Sequence, residues 1–239
     1  MKGVVLAGGE GSRLRRLTGG RNKHLLPVGG VPMIVRAARK LAQAGMGEIL
    51  VVTGPGHVDS MRQALGTGAA RESRIAFRVQ DEPRGIGHAL ALAEDFADTD
   101  GVVVLLGDNV FDEDLAPHVA AFRRRGRGAQ VFLSEVDHPE QYGVAVLDGE
   151  RIARVVEKPE RPPSRLAVTG IYAYDRRFAD LIRSITPGPR GELEITDLNN
   201  RYAEQGELGW TLLEGFWTDA GTEEGYVRAN AHAWEPPVT

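Results

Sequence analysis

The feature that most constrains the fold is an alternation of short apolar runs with amphipathic stretches in the first half of the chain. The apolar runs predict buried strands, and apolar residues at helical spacing predict helices between them. Strands that alternate with helices in this way form a mostly parallel sheet covered on both faces. The predicted strands are Lys2–Ala7, Glu48–Val52, Ile75–Val79 and Gly101–Leu106, and the predicted helices are Val31–Ala44, Val58–Leu65, His88–Phe96 and Leu115–Arg125.

The second half of the chain has a different pattern, in which strands follow one another with little helix between them. Asp148-Gly149 lies between two of these strands and favours a hairpin turn. We therefore expect an α/β fold with an antiparallel extension, in a single domain that covers residues 1–239. The predicted strands are Ala129–Glu135, Gly143–Leu147, Ile152–Glu157, Leu166–Tyr174 and Leu208–Leu213, and the predicted helices are Arg176–Ile185, Ile195–Gln205 and Glu223–Ala233.

Composition and charge exclude several classes of function. The chain has no cysteine, so disulfides, thiolate zinc sites and a cysteine nucleophile are excluded, and a reducing compartment is favoured. A net charge of −4 argues against a general nucleic-acid binder, and the cationic run Arg123-Arg124-Arg125 fits the C-terminal end of a helix. Its apolar runs are far shorter than the roughly 20 residues needed to span a bilayer. We expect a cytoplasmic protein without a membrane segment.

A glycine-rich loop, Gly8-Gly9-Glu10-Gly11, follows the first predicted strand. Glycines at such a place let the backbone approach a phosphate closely. The loop does not match a P-loop, which needs Gly-Lys-Ser/Thr where Ser12-Arg13 stands. It also lacks the third glycine of a dinucleotide-binding fingerprint, because Leu14 occupies that place, and no convincing helix is predicted before Val31.

The loop continues into a strongly basic segment. Ligands of open α/β sheets bind at the carboxyl ends of strands, so cations here favour a polyphosphate ligand. The apolar run Leu25-Leu26-Pro27-Val28 follows at once and should anchor Lys23 near the sheet edge. Only four of the 29 basic residues are lysines, namely Lys2, Lys23, Lys40 and Lys158. The cations of the segment are Arg13, Arg15, Arg16, Arg21 and Lys23.

A series of motifs extends this pattern along essentially the whole chain. The motifs are Gly3–Leu14, Lys23–Val28, Pro32–Ile34, Gln80–Ile86, Gly107–Asn109, Tyr142–Val144, Glu157–Pro159, Thr169–Tyr172, Gly191–Asn199 and Trp217–Thr222. Together and in this order they resemble the sugar-1-phosphate nucleotidyltransferases, and among these the short-form glucose-1-phosphate thymidylyltransferases. The resemblance implies a Rossmann-like nucleotidyltransferase fold. It also implies a homo-oligomer, a tetramer or a dimer.

The same resemblance implies a reaction. A nucleotidyl group passes from dTTP to glucose 1-phosphate, giving dTDP-glucose and pyrophosphate, with Mg²⁺ as cofactor. Three alternatives remain open at this point. The first is the same chemistry with UTP or another sugar 1-phosphate, and the second is a non-catalytic regulatory protein that binds a nucleotide sugar. The third, a Rossmann dehydrogenase, is weakened by the missing glycine.

The site residues follow from the resemblance, position by position. The expected catalytic residues are Arg13, Lys23 and Asp108. The expected nucleotide-binding residues are Leu6, Gly8, Gly9, Gly11, Ser12, Arg13, Lys23, Gln80, Pro83, Gly85 and Asp108. The expected sugar-phosphate-binding residues are Asn109, Gly143, Glu157, Lys158, Val168, Tyr172 and Trp217. The expected Mg²⁺ ligands are Asp108 and Asp219.

These assignments agree with the chemistry of the side chains. Mg²⁺ takes one or two carboxylates together with phosphate oxygens and water, and Gln80 carries both a donor and an acceptor with which to bind a pyrimidine edge. For Tyr172 and Trp217, ordinary core packing is an equal alternative. We leave Glu192 and Asp197 outside the site, because stabilisation of the N-terminus of the helix near Ile195 is sufficient to explain both carboxylates.

Overall fold

A nine-stranded sheet forms the centre of the computed structural model, which describes residues 1–9, 11–66, 70, 73–188 and 191–234. The strands are β1 (Lys2–Ala7), β2 (Pro27–Val28), β3 (Val31–Pro32), β4 (Glu48–Thr53), β5 (Arg74–Val79), β6 (Val102–Leu106), β7 (Asn109–Phe111), β8 (Ala129–Glu135), β9 (Gly143–Asp148), β10 (Arg151–Glu157), β11 (Leu166–Tyr174), β12 (Leu208–Leu212) and β13 (Trp217–Asp219). The helices are α1 (Arg15–Thr18), α2 (Met33–Gln43), α3 (Val58–Leu65), α4 (Ile86–Ala91), α5 (Glu94–Ala97), α6 (Ala116–Arg125), α7 (Phe178–Arg183), α8 (Ile195–Glu204) and α9 (Glu223–Ala231).

The sheet has a parallel half and an antiparallel half. Its order is β10-β9-β11-β6-β1-β4-β5, and β8 pairs with β11 and with β12. The neighbours β6, β1, β4 and β5 are parallel, whereas β11 runs antiparallel to β6, β8 and β9. This arrangement confirms the predicted α/β fold with an antiparallel extension. β9 and β10 form the predicted hairpin, whose turn includes Gly149 at φ +59°.

Apolar clusters cover both faces of the sheet. Alternate residues of β1 point to opposite faces, so Val5 and Ala7 lie in one cluster and Val4 and Leu6 lie in the other. The first cluster includes side chains of α2, α3 and α6, and the second includes side chains of α4, α7 and α8. Among the described residues, no helix is both long and apolar enough to cross a bilayer.

Several details differ from the sequence predictions. The predicted helix Val31–Ala44 begins only at Met33, because Val31 and Pro32 form β3. A short helix, α1, begins at Arg15, so the prediction of no helix before Val31 is wrong; four residues are too few to show a helical period, and Gly19 ends the helix at φ +56°. The predicted helix His88–Phe96 is two short helices, α4 and α5. The small sheet formed by β7 and β13 was not predicted, because each strand has only three residues.

Candidate active site

The site is built where β1 and β6 end side by side. The chain after β1 passes through a 3₁₀ turn (Ser12–Leu14) and α1, and returns to the sheet edge at a second 3₁₀ turn (Lys23–Leu25). Asn22 fixes this return, because its Nδ2 donates to the carbonyl of Ala7 at 3.1 Å and its Oδ1 accepts from the backbone N–H of His24 at 2.9 Å. Lys23 is thereby held beside the end of β1.

A small apolar cluster lies beneath this loop. Leu26 and Val28 follow Lys23 and pack with Leu14, Met33 and Ala220, all of which are buried. This contact is what the apolar run after Lys23 predicted. The cationic side chain therefore starts from a backbone that is anchored on both sides.

Lys23 and Asp108 form a buried ion pair. The distance from Lys23 Nζ to Asp108 Oδ2 is 2.5 Å, and both side chains are less than one fifth exposed. Burial lowers the pKa of Lys23, but the charge and the hydrogen bond of Asp108 together with the charge of Asp219 outweigh it, so the net pKa is raised. Burial likewise raises the pKa of Asp108, yet the charge of Lys23 holds it below its ordinary value. Both groups are therefore charged at neutral pH.

A second carboxylate, that of Asp219, is brought close to this ion pair by the antiparallel pairing of β7 with β13. Their register places Asp219 opposite Asn109, the neighbour of Asp108. All three charged groups converge on Gly221: a Cβ at that position would lie 2.7 Å from Asp108 Oδ2, 2.9 Å from Asp219 Oδ1 and 3.2 Å from Lys23 Nζ. Burial, followed by the charge of Asp108, raises the pKa of Asp219 to about 6.

One cavity of about 350 Å³ opens beside this cluster and collects many of the predicted residues. The predicted residues that line it are Leu6, Gly8, Gly9, Arg13, Lys23, Gln80, Pro83, Gly85, Asp108, Glu157 and Lys158. The predicted residues that do not line it are Gly11, Asn109, Gly143, Val168, Tyr172, Trp217 and Asp219. Glu10 and the side chain of Ser12 lie outside the described residues.

Gln80 and the loop after it form part of the cavity lining. Gln80 Nε2 donates to the carbonyl of Gly85 at 3.2 Å and lies 2.9 Å from His88 Nδ1. Burial, followed by the charge of Arg84, lowers the pKa of His88, so its ring is neutral at neutral pH and can accept this hydrogen bond. The amide of Gln80 is thus held in one orientation. Gly8 packs against it closely, since a Cβ there would lie 2.9 Å from Gln80 Oε1.

Glu157 and Lys158, at and directly after the end of β10, also line the cavity. Glu157 Oε2 accepts a hydrogen bond from the hydroxyl of Thr196 at 2.6 Å, and Glu157 Oε1 lies 3.6 Å from Lys158 Nζ. Gly143 faces the same carboxylate, because a Cβ there would lie 3.4 Å from Glu157 Oε2. Lys158 has φ +40°, a left-handed conformation that side chains disfavour. Its backbone N–H donates to the carbonyl of Tyr142 at 2.9 Å.

The remaining predicted sugar-end residues are buried behind this surface. Asn109 Oδ1 accepts from the backbone N–H of Gly170 and from Trp217 Nε1, both at 2.8 Å. Trp217 and Val168 belong to the two large apolar clusters, and Tyr172 stacks on Tyr174. The sequence allowed two interpretations of Tyr172 and Trp217, sugar binding and core packing. Both side chains lie where core packing would place them. Burial and then the charge of Glu157 raise the pKa of Tyr172, so its hydroxyl is electrostatically coupled to Glu157.

A model of the nucleotidyl transferase family matches residues 2–235. The chain belongs to this family. A curated relative named glucose-1-phosphate thymidylyltransferase, from Neisseria meningitidis, is 41% identical over 94% of this chain and 79% of its own length. A Bacillus anthracis structure described as a glucose-1-phosphate thymidylyltransferase in complex with a sucrose has a TM-score of 0.92 and 47% identity, covering 97% of this chain and 94% of its own.

A more distant member of the family shares the fold. The structure of a UDP-glucose pyrophosphorylase complexed with UDP-glucose has a TM-score of 0.85 and 25% identity, and covers 96% of this chain and 97% of its own. The agreement over nearly the full length of each chain means that this protein contains the elements of the nucleotidyl transferase fold in the same order.

Nucleotidyl transferases generally use a divalent metal ion, and the donors present here fit one. Asp108 and Asp219 converge on one point, and the raised pKa of Asp219 reflects two carboxylates that share a poorly solvated place. A divalent cation would relieve that repulsion and needs only one or two carboxylates when phosphate oxygens complete its shell. Among the described residues, no group of three or more His, Asp or Glu side chains could hold a metal by themselves.

Some residues of this nucleotidyl transferase site were missed by the sequence analysis. Glu192 and Glu194 line the cavity although Glu192 was assigned only to the helix terminus, and Gly221 sits where three charges meet. All three lie inside matched motifs, which was the available signal. The other residues that line the cavity are His24, Ile86, Ala89 and Leu106. All except His24 are apolar, and sequence alone cannot distinguish such positions from core residues.

Gly11 does not line the cavity but allows the path that the loop takes beside Lys23. It has φ +59°, and a Cβ there would lie 3.3 Å from Lys23 Cβ. The glycine therefore lets the loop pass over the aliphatic part of the Lys23 side chain, whose ammonium reaches Asp108.

Proposed function

We propose that this chain catalyses the Mg²⁺-dependent reaction of dTTP with glucose 1-phosphate, giving dTDP-glucose and pyrophosphate. The observation that carries the proposal is one cavity lined both by Arg13, Lys23 and Asp108 and by Glu157 and Lys158. Such a cavity supplies cations for two anionic substrates at once. Family membership and the names of close relatives support the same reaction.

The chemistry is a single displacement at phosphorus. An oxygen of the sugar phosphate attacks the α-phosphorus of the nucleotide, a new P–O bond forms, and the bond to the β-phosphate oxygen breaks as pyrophosphate leaves. No protein nucleophile is needed, so the enzyme's task is to position two anions and to stabilise the charge that develops. Lys23 and Arg13 would supply that positive charge at the triphosphate.

The nucleotide is assigned to the end of the cavity that holds the glycine-rich loop. Gly8 and Gly9 would bring backbone N–H groups close to the phosphates. Gln80 would bind the pyrimidine edge, and its fixed amide orientation supports this role, because a rotating amide would not distinguish donors from acceptors. Pro83 and Gly85 would line the base pocket beside Leu6.

The sugar phosphate is assigned to the part of the cavity that Glu157 and Lys158 line. Lys158 would bind its phosphate as a compact point charge. Glu157 would accept hydrogen bonds from sugar hydroxyls, and the hydroxyl of Thr196 already holds one of its oxygens in place. Asn109, Gly143, Val168, Tyr172 and Trp217 would shape the pocket from behind.

Asp108 and Asp219 would hold the Mg²⁺ ion together with phosphate oxygens. When bound, the ion neutralises phosphate charge and helps to align the α-phosphate. Lys23, hydrogen-bonded to Asp108, would keep one oxygen of that carboxylate oriented.

A second candidate is the same chemistry with UTP. The distant relative that was solved with UDP-glucose has the same fold along its whole length, and Gln80 could bind uracil as well as thymine, since the two bases share the same polar edge. We also propose that the protein is a homo-oligomer. We place it in the cytoplasm, in keeping with the cysteine-free composition. Light scattering of the purified protein measures the oligomeric state.

The deciding experiment is a pyrophosphate-release assay with each nucleoside triphosphate and a panel of sugar 1-phosphates. We expect the highest kcat/KM for dTTP with glucose 1-phosphate, and no turnover after a chelator removes Mg²⁺. Higher kcat/KM for UTP would favour the second candidate. No turnover with any pair would exclude the enzymatic function.

A further inference from the structure

At Val155, the outer edge of β10 is hydrogen-bonded to a side chain of helix α8. β10 is the last strand in the order of the sheet and pairs with β9 on its inner side. On the other side, Asn200 of α8 accepts a hydrogen bond from the backbone N–H of Val155 at 2.7 Å and donates one to the carbonyl of Val155 at 3.0 Å. The carboxamide of Asn200 therefore takes the place that a peptide group of a neighbouring strand would occupy.

The residue directly after β10 is strained. Lys158 has φ +40° although it is not glycine, and it precedes Pro159, a context that favours an extended backbone. Backbone strain of this kind persists only where surrounding contacts enforce it, and it concentrates at functional sites. The hydrogen bond from the N–H of Lys158 to the carbonyl of Tyr142 is one such contact, from the side of β9.

Helix α8 supplies contacts from the other side. Thr196 and Asn200 are one turn apart on this helix, so they share a face. Thr196 holds the side chain of Glu157, and Asn200 holds the backbone of Val155. The last residues of β10 are thus held from the inner side by β9 and from the outer side by α8.

We propose that Asn200 is a positioning residue for the sugar phosphate. By fixing the backbone of Val155, it keeps the end of β10 in the register that Lys158 needs in order to direct its ammonium group into the cavity. Asn200 does not line the cavity that holds Lys23 and Asp108, but it shares a neighbouring cavity of about 640 Å³ with Glu157 and Lys158, and in this inference it acts through β10. This inference rests on the proposed function, in which Lys158 binds the phosphate of the sugar 1-phosphate.

The test compares Asn200→Ala with a matched control in steady-state kinetics. Asn230→Ala is the control, because Asn230 also makes two side chain–backbone hydrogen bonds, with Gly29 and Tyr226, and does not line the cavity. For Asn200→Ala we expect the KM for glucose 1-phosphate to rise about tenfold, as small displacements of a positioned group can cost that much or more. The KM for dTTP should stay unchanged. Asn230→Ala should leave both KM values unchanged.

A second variant and a second measurement separate positioning from general loosening. Asn200→Asp keeps an acceptor for the N–H of Val155 but loses the donor to its carbonyl, so its KM for glucose 1-phosphate should lie between those of the wild type and Asn200→Ala. Hydrogen exchange should become faster in the peptide 151–158 of Asn200→Ala and stay unchanged in Asn230→Ala. If Asn200→Ala does not fold, Asn200→Asp carries the comparison.

The outcomes distinguish this inference from the function beneath it. If the wild type is active and the Asn200 variants keep both KM values of the wild type, the inference alone is overturned. An equal rise of both KM values would also overturn it, because it indicates a general loss of structure. A wild type without turnover would overturn the proposed function and the inference together.

Discussion

The two lysines that line the cavity are held in opposite ways. Lys23 is 17% exposed and lies 2.5 Å from Asp108, whereas Lys158 is 39% exposed and lies 3.6 Å from Glu157. The backbone of Lys23 is held by neighbours within a few positions on either side of it, but that of Lys158 is strained and depends on Tyr142 and Asn200, which are distant in sequence. A local pattern can thus place one charge, while the other requires the assembled fold.

The difference matters for catalysis. A rigid, ion-paired lysine needs little reorganisation when charge develops at the α-phosphate, and such preorganised groups contribute mainly to kcat. A more exposed lysine on a strained strand end is better suited to capturing a phosphate, which contributes to KM. The following predictions test this division, from the largest expected effect to the smallest.

Lys23→Ala should lower kcat on the order of 10²-fold or more, because it removes a key electrostatic group from the reacting phosphates. Lys158→Ala should act chiefly on the KM for glucose 1-phosphate. Steady-state kinetics on variants shown by circular dichroism to be folded measures both effects. Lys40→Ala serves as a control, since Lys40 donates to the carbonyls of Asp112 and Glu113 and does not line the cavity. Near-normal turnover in Lys23→Ala would remove Lys23 from the mechanism.

Asp219→Asn should abolish stabilisation by Mg²⁺ and yet stabilise the metal-free protein at pH 8. The pKa of Asp219 is raised to about 6 in the folded state, above roughly 4 in the unfolded chain. Its contribution to stability is therefore complete below about pH 4 and is lost as the pH rises through about 6. In chelator, the melting temperature of Asp219→Asn should exceed that of the wild type at pH 8, and the gap should narrow towards pH 4.

The matched control for this pH series is Asp148→Asn, an exposed carboxylate on the last residue of β9. Its melting temperature should follow that of the wild type at every pH. A gap between wild type and Asp219→Asn that is constant with pH would contradict the raised pKa. Equal Mg²⁺ stabilisation in both proteins would show that Asp219 is not a ligand.

Gln80→Ala should reduce the preference for pyrimidine over purine nucleotides by about tenfold, since a hydrogen bond to the base contributes about 1 kcal/mol or more. The ratio of kcat/KM values for dTTP and ATP measures this preference. Gln63→Ala, an exposed change on α3, should leave the ratio as it is. An unchanged ratio in Gln80→Ala would show that the base binds elsewhere.

The smallest effects are expected for Lys2→Arg and Lys40→Arg, which should keep the wild-type kcat/KM. Both lysines donate to backbone carbonyls that a guanidinium can also reach. Lys23→Arg and Lys158→Arg should impair turnover, because a planar fork does not replace a compact ammonium. Equal tolerance at all four positions would mean that the scarcity of lysine is a matter of composition only.

The predictable part of the molecule is the part whose signals are local. Strands β1, β8 and β11 and helix α3 have the bounds that their apolar patterns predicted, because each has enough residues to show a period. The position of Lys23 follows from the apolar residues next to it. The same reasoning fails for α1, β7 and β13, which are too short for any period to appear.

The unpredictable part is created by contacts between distant segments. Asp108 and Asp219 come together through the pairing of β7 with β13, and only the family resemblance pointed to them as a pair. The left-handed backbone of Lys158 contradicts the expectation for a residue before proline. Glu192 was assigned to a helix terminus because nothing in its local sequence indicates that its segment meets Gly85, where Leu193 donates to the carbonyl of Arg84.

Gly221 shows that a site can depend on the absence of a side chain. It brings no functional group of its own, yet Asp108, Asp219 and Lys23 can approach one another only because its α-carbon carries a hydrogen instead of a methyl group. A search for reactive side chains would pass over this position. A substitution at Gly221 would change the spacing of Asp108 and Asp219 without altering either carboxylate.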